Sequence, residues 1–224
     1  MQNGAQIEYD YSVAKAFTFA TILFGIIGMT IGVVLAFQLA FPELNYLAGE
    51  YGTFSRLRPL HTNGVAFGFT LSGVFAGWYY ISQRVLKVSL KESPFLMVVA
   101  KLHFWVYFIT ILLAVVTLFM GYTTSKEYAE LEWPLDILVV VFWVLWGISI
   151  FGFIGIRRER TLYISIWYFI ATFIAVAMLY LFNNMEVPTA LVSGYGSWIH
   201  SVSMYAGTND AIVQWWYGHN AVAF

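Results

Sequence analysis

The chain has 224 residues, 60% of them apolar and only 10% charged, with a mean hydropathy of +0.73; a soluble domain averages roughly 45–50% apolar and 25% charged, so a water-soluble globule is excluded. The formal net charge of −1 contains no basic block that would recruit nucleic acid. Zero cysteine excludes disulfide scaffolds, thiolate zinc sites and cysteine-held iron–sulfur clusters, leaving His, carboxylate and backbone as metal donors.

A hydrocarbon core about 30 Å thick is crossed by roughly 20 apolar residues in a helix. The first such stretch runs from Val13 to Phe41, uncharged after Lys15, with Gly25, Gly28 and Gly32 spaced for close helix contact. The second follows Pro59, from Leu60 to Ile81, and carries His61 near its start. A third lies between His103 and Met120, a fourth between Leu135 and Ile156, and a fifth between Leu162 and Phe182. The connection from Asn183 to Asp210, with Pro188, Gly194, Gly196 and Gly207, is the one long loop, and long ordered loops are often functional. From Ala211 the chain is apolar again and stops at Phe224, a run too short to span, which predicts a sixth helix cut within its length. The predicted fold is all-α, a polytopic transmembrane helix bundle of five complete spans plus a truncated sixth, with residues 1–224 forming a single membrane domain.

Short cytoplasmic loops attract Lys and Arg. Lys15, Arg84, Lys87, Lys91, Lys101, Arg157, Arg158 and Arg160, eight of the eleven basic residues, fall on one side; Arg56, Arg58 and Lys126 fall on the other. This predicts a cytoplasmic N-terminus and an acidic outer surface. Glu8 and Asp10 stand where a signal peptide needs positive charge, and no small-residue cleavage site follows, so the first stretch is expected to stay as a helix.

Ionisable groups inside a membrane are costly and point to function. His61 lies about one turn into the second span, directly after Arg56-x-Arg58-Pro59. Its neutral imidazole suits a haem iron or another metal, with the two Arg placed for haem propionates; the plainer reading is a hydrogen bond to a neighbouring helix. His219 lies eight residues past Ala211, about 12 Å along the helix, a depth comparable to that of His61. Two His at similar depth on different helices can build a metal or haem site in a bundle, while Trp215, Trp216 and Tyr217 read equally as an interfacial aromatic belt. His103, after Lys101 at the end of the third span, is expected at the interface, and His200 in the outer loop; neither is expected to ligate. The stretch from Lys126 to Pro134 gathers Glu127, Glu130 and Glu132; carboxylates can hold calcium or pair with an Arg of a neighbouring loop, and the favoured reading is a solvated acidic loop. Nucleotide loops, the nucleophile elbow and paired hydrolase carboxylates do not occur where they would work.

Three strings occur in order: Arg56-Leu57-Arg58-Pro59-Leu60-His61-Thr62-Asn63, the stretch from Lys126 to Pro134, and the run from Asp210 to Asn220 that contains Trp215-Trp216-Tyr217-Gly218-His219. Together they closely resemble the catalytic subunit of the C-type (cbb-type) haem-copper cytochrome c oxidases, as its N-terminal part. The resemblance implies that His61 is an axial ligand of low-spin haem b and His219 one of three His ligands of the active-site copper, the catalytic metal. It also implies that Arg58, with Arg56 beside it, and Glu127 belong to a polar cluster at the haem propionates, where family members bind calcium, which makes Glu127 a candidate calcium ligand. The cofactors implied are low-spin haem b, a high-spin haem b and copper; the partners are cytochrome c-type subunits, dioxygen and membrane lipid, in a bacterial inner membrane. The implied activity is proton-translocating reduction of dioxygen to water with electrons from cytochrome c, which this stretch is not expected to perform alone. The alternative is a nitric oxide reductase large subunit, where iron replaces copper and a Glu shortly follows the metal His. Here Asn220, Ala221, Val222, Ala223 and Phe224 follow His219. Position 223 is Ala, where A- and B-type oxidases place a Tyr to be cross-linked, so the C-type pattern fits better.

Overall fold

The computed structural model describes residues 7–47 and 49–223; the predicted stop at Phe224 lies outside the described residues. Five helices among them are long and apolar enough to cross a membrane: α1 (Ser12–Ala40), α2 (Phe54–Leu86), α3 (Pro94–Met120), α4 (Trp133–Gly155) and α5 (Ile164–Asn183). They alternate in direction, so Tyr11 and the α2–α3 turn share a near end with the α4–α5 turn, while the other connections share a far end. After α5 come two short antiparallel strands, β1 (Glu186–Pro188) and β2 (Ser201–Ser203), with Val187 opposite Val202. Helix α6 (Thr208–Ala223) then re-enters the bundle from the far end.

Three boundaries differ from the sequence reading. Helix α2 starts at Phe54 and carries Pro59 inside it, because the extended Thr53 ends the preceding turn and Pro59 leaves only the carbonyl of exposed Ser55 without a donor. Helix α3 starts at Pro94, whose fixed φ suits a first turn, and Ser93 caps it by accepting from the Leu96 N–H. The charges at Lys91, Glu92 and Lys101 hide that start from a hydropathy reading; Lys101 simply points outward. Helix α6 begins at Thr208 rather than Ala211, and the long loop before it is partly ordered by the β1–β2 pair.

The glycine row of α1 meets α2 as its spacing suggests. A Cβ on Gly28 would lie 3.1 Å from Val65 Cγ2 and 3.3 Å from the Gly64 carbonyl carbon, so the two backbones touch. The α2 side of this contact, Gly64–Thr70, is wound as π-helix, which displaces the usual carbonyl partners. The Tyr107 hydroxyl donates toward the Phe67 and Gly68 carbonyls at 2.7 and 2.8 Å, and Ser72 Oγ donates to Gly68 O at 2.6 Å. Below this, the core is aromatic. Phe17 stacks on Tyr79, Phe75 meets Trp146 edge-on at 4.9 Å between centroids, and the indole N–H groups of Trp78 and Trp143 reach Ser149 Oγ and the Phe173 carbonyl, each at 3.0 Å.

At the near end, fully buried Gln83 ties three segments together. Its Oε1 accepts from the Asp10 and Leu90 N–H groups at 3.0 and 2.9 Å, and its Nε2 donates to the Asp10 carbonyl at 2.6 Å. Gln83→Ala would orphan backbone donors and is expected to cost about 1–3 kcal/mol per unsatisfied group, read as a lower melting temperature in detergent with the metal content per folded protein unchanged.

Candidate haem and metal centre

Residues Arg56, Arg58 and His61 stand on the first turns of α2 at the far end of the bundle. His61 lies seven residues past Phe54, about 10 Å along the axis, and turns its ring toward α1. Its Nδ1 is 2.8 Å from the Gly28 carbonyl oxygen. A carbonyl only accepts, so Nδ1 carries the proton in this contact and the neutral ring keeps its lone pair on Nε2. The ring rests on Gly32, where a Cβ would come within 2.5 Å of His61 Cε1. An imidazole with one nitrogen tied to a backbone carbonyl and the other free is the donor geometry of a metal-bound His.

The Arg58 guanidinium pairs with Glu127 Oε1 at 3.1 Å, both side chains being 39% exposed. Arg56 lies across Gly121, the left-handed residue that ends α3, and fills the space a side chain there would need. Asn63, on the opposite side of α2 from His61, donates its amide to Glu130 Oε2 at 2.8 Å. Burial raises the Glu130 carboxyl above the usual carboxylate range, against the pull of the Asn63 amide and the Arg58 charge.

Residues 126–132 are therefore not the solvated acidic loop that their composition suggests. Lys126 is 1% exposed, Glu130 4% and Glu132 2%. They are held inside because chain neighbours on every side offer partners. Lys126 Nζ donates to the Asn183 carbonyl at the end of α5, lies 3.4 Å from Asp210 Oδ1, and sits over the Tyr205 ring. Glu132 accepts from His200 Nδ1, Ser201 N and Ser201 Oγ at 2.7–2.8 Å. His200 thus belongs to this polar seam, stacked on Tyr122.

His103 is also placed differently. It lies well inside α3, with no exposed surface, enclosed by Phe17, Phe75 and Phe142, and its Nδ1 meets the Tyr79 hydroxyl at 3.0 Å. The expectation of an interfacial His fails because α3 begins at Pro94, leaving His103 more than two turns deep.

His219 is eleven residues past Thr208, about 16 Å along α6, and is exposed. Its neighbours Tyr217 and Gly218 face the bundle, where they and Ala221 help line an apolar cavity of about 550 Å³ enclosed by helices α2 to α6. His219 points away from that cavity and has no hydrogen-bond partner among the described residues. The structure does not bring His61 and His219 together. Among the described residues, no three His, Asp or Glu side chains gather closely enough to hold a metal ion.

Comparison with known proteins decides the family. Residues 12–224 match the family described as Cytochrome C and Quinol oxidase polypeptide I. The chain belongs to this family. It is 43% identical over 224 residues, its full length, to the Cbb3-type cytochrome c oxidase subunit CcoN1 of Stutzerimonas stutzeri, covering 45% of that protein. It is 42% identical over 221 residues to cytochrome c oxidase subunit 1 of Rhodobacter capsulatus, with 97% of the chain matched to 40% of the relative. With a cytochrome c oxidase subunit 1 homolog of Agrobacterium tumefaciens (strain T37) the identity is 36%, over 97% of the chain and 38% of that protein. The chain thus spans less than half the length of these relatives, and as an oxidase-family chain with five apolar helices it is a multi-pass membrane protein.

Within this oxidase-family chain the resemblance seen in the three sequence strings is upheld at the level of the family. Sequence reasoning missed the roles of Lys126, Asn63 and Tyr128. A single Lys among carboxylates beside a membrane boundary was the available signal. Gly32 offers a check on the His61 geometry. In the full-length protein, Gly32→Ala is expected to push the imidazole off the Gly28 carbonyl and, for a His61 that ligates haem, to weaken haem retention on the order of 10-fold, as losing a contact that orients a ligand does, read from haem content per protein.

Proposed function

We propose that this chain forms the half of a C-type haem-copper oxidase catalytic subunit that carries one axial ligand of the low-spin haem b, His61, and one copper ligand, His219. The complete enzyme reduces dioxygen to water with electrons from cytochrome c, delivered through cytochrome c-type partner subunits, and couples this to proton translocation. The observation that carries the reading is His61, whose Nδ1 is held by Gly28 and whose Nε2 has no hydrogen-bond partner among the described residues. A haem bound there supplies one-electron redox chemistry.

The chain's own residues do the rest. Gly28 and Gly32 set the ring's tautomer and tilt; the far-end guanidinium groups of Arg58 and Arg56 suit the carboxylates of a bound haem. Imidazole is a suitable copper donor, and this chain offers one, so the other copper ligands and the high-spin haem ligand lie elsewhere in the protein. Calcium fits poorly: Glu127 is engaged by Arg58, and no further metal-ligating cluster surrounds it among the described residues. The orientation we infer, N-terminus on the cytoplasmic side of a bacterial inner membrane, is supported by the eight basic residues at the near end.

The test is made on the full-length subunit purified with its partners: haem, copper and iron content together with dioxygen and nitric oxide consumption. Copper with dioxygen uptake supports the oxidase. Copper-free protein with extra iron that consumes nitric oxide would replace it with the reductase.

A further inference from the structure

The far-end loop between α3 and α4 touches both His-bearing helices, and its contacts alternate. Lys126 reaches forward to Asp210 at the start of α6 and to the Asn183 carbonyl. Glu127 reaches back to Arg58, three residues before His61. The Tyr128 carbonyl accepts from the Tyr217 hydroxyl at 2.7 Å, two residues before His219, and Glu130 holds Asn63, two residues after His61. The loop itself is stiff. Tyr128 sits at φ +62°, a conformation that a bulky residue keeps only when its surroundings dictate it. Internal bonds close the turn around it: Thr124 N–H to the Glu130 carbonyl at 2.9 Å, Thr124 Oγ1 to the Ala129 carbonyl at 3.0 Å, and Ala129 N–H to the Lys126 carbonyl at 3.2 Å.

We propose that residues Thr124–Glu130 form a two-sided clamp that sets the position of the His219 helix relative to the His61 helix, with Lys126 as its main positioning residue on the α6 side. The roles of His61 and His219 in this statement rest on the function proposed above. The physical reason for a clamp is that, among the described residues, α6 packs on α5, with Tyr217 against Tyr180 and Trp216 against Phe182, while the cavity lies between it and α2. The cavity offers no packing that would fix α6 against α2, so that distance is left to the loop. A charged ammonium held between a carbonyl, a carboxylate and an aromatic ring, away from water, has one arrangement that satisfies it, and moving α6 would break it. Since Glu127 and Glu130 grip α2 from the same rigid turn, a change on one side is transmitted to the other.

The experiment uses the full-length subunit with its partners, keeping the cysteines that bond c-type haem in the partners and replacing any other reactive cysteine, with spin labels at Ser55→Cys and Ala211→Cys, both exposed positions at the far ends of α2 and α6. Lys126→Met is expected to shift and broaden the distance between the labels, to weaken copper retention about 10-fold, and to alter the low-spin haem spectrum although, among the described residues, Lys126 makes no hydrogen bond or ion pair with α2. Glu127→Gln is expected to disturb the haem spectrum first and copper retention second, and Lys126→Arg to restore the label distance in part. A Lys126→Met protein with only a lower melting temperature, and with an unchanged label distance and haem-to-copper ratio in the folded fraction, would overturn the clamp. If the wild type binds neither haem nor copper, the proposed function falls, and the label distance alone decides the clamp.

Discussion

Replacing His61 with Ala in the full-length protein is expected to abolish the low-spin haem signal in reduced-minus-oxidised spectra while copper remains bound. The ring is the one donor of its type on this face of α2, and its setting has no substitute: Gly28 O holds one nitrogen, and Gly32 leaves room only for a flat ring. For a His61 that binds the iron directly, as proposed, the loss exceeds the 10–100-fold typical of removing a group that only orients a ligand, so retention should fall below detection rather than weaken. The π-wound turns that follow His61 make general misfolding a fair concern. The copper content answers it, because a collapsed bundle would lose both metals. An unchanged haem spectrum would remove His61 from the site and return it to its plain role of joining α1 to α2.

His219→Ala carries the second large effect. Copper is expected to disappear, dioxygen consumption to fall to background, and both haem signals to persist. His219 makes no hydrogen bond among the described residues and is exposed on α6, so its removal takes nothing from the packing of the five spans. A large fall in activity with unchanged stability is what a ligand predicts and what a structural residue does not. Retained copper and turnover would sink the assignment, and loss of the low-spin haem together with copper would mean that the variant has lost more than one ligand's contribution.

The two variants differ in how legible their residues were. The span count and the glycine row were readable in the sequence because they rest on properties of consecutive residues, run length and one-turn spacing, and His61 stood out as an ionisable group amid apolar ones. The order of three strings added the family, which the match over residues 12–224 upholds. Helix starts were less legible. Pro59 and Lys101 look like boundaries to a pattern reading, yet a proline near a helix start and an outward lysine are both tolerated inside one.

The sequence by itself therefore determined the membrane-spanning architecture, the family and the residues worth testing, since hydrophobic run length and local spacing act along the chain. Only the tertiary structure decided that Lys126, Glu130 and Glu132 are buried, that His103 is enclosed in an aromatic core, and that His219 faces away from the cavity. Each of those depends on groups far apart in sequence, such as Asp210 for Lys126 and Asn63 for Glu130, and a charge is stable out of water only once such partners have been brought to it.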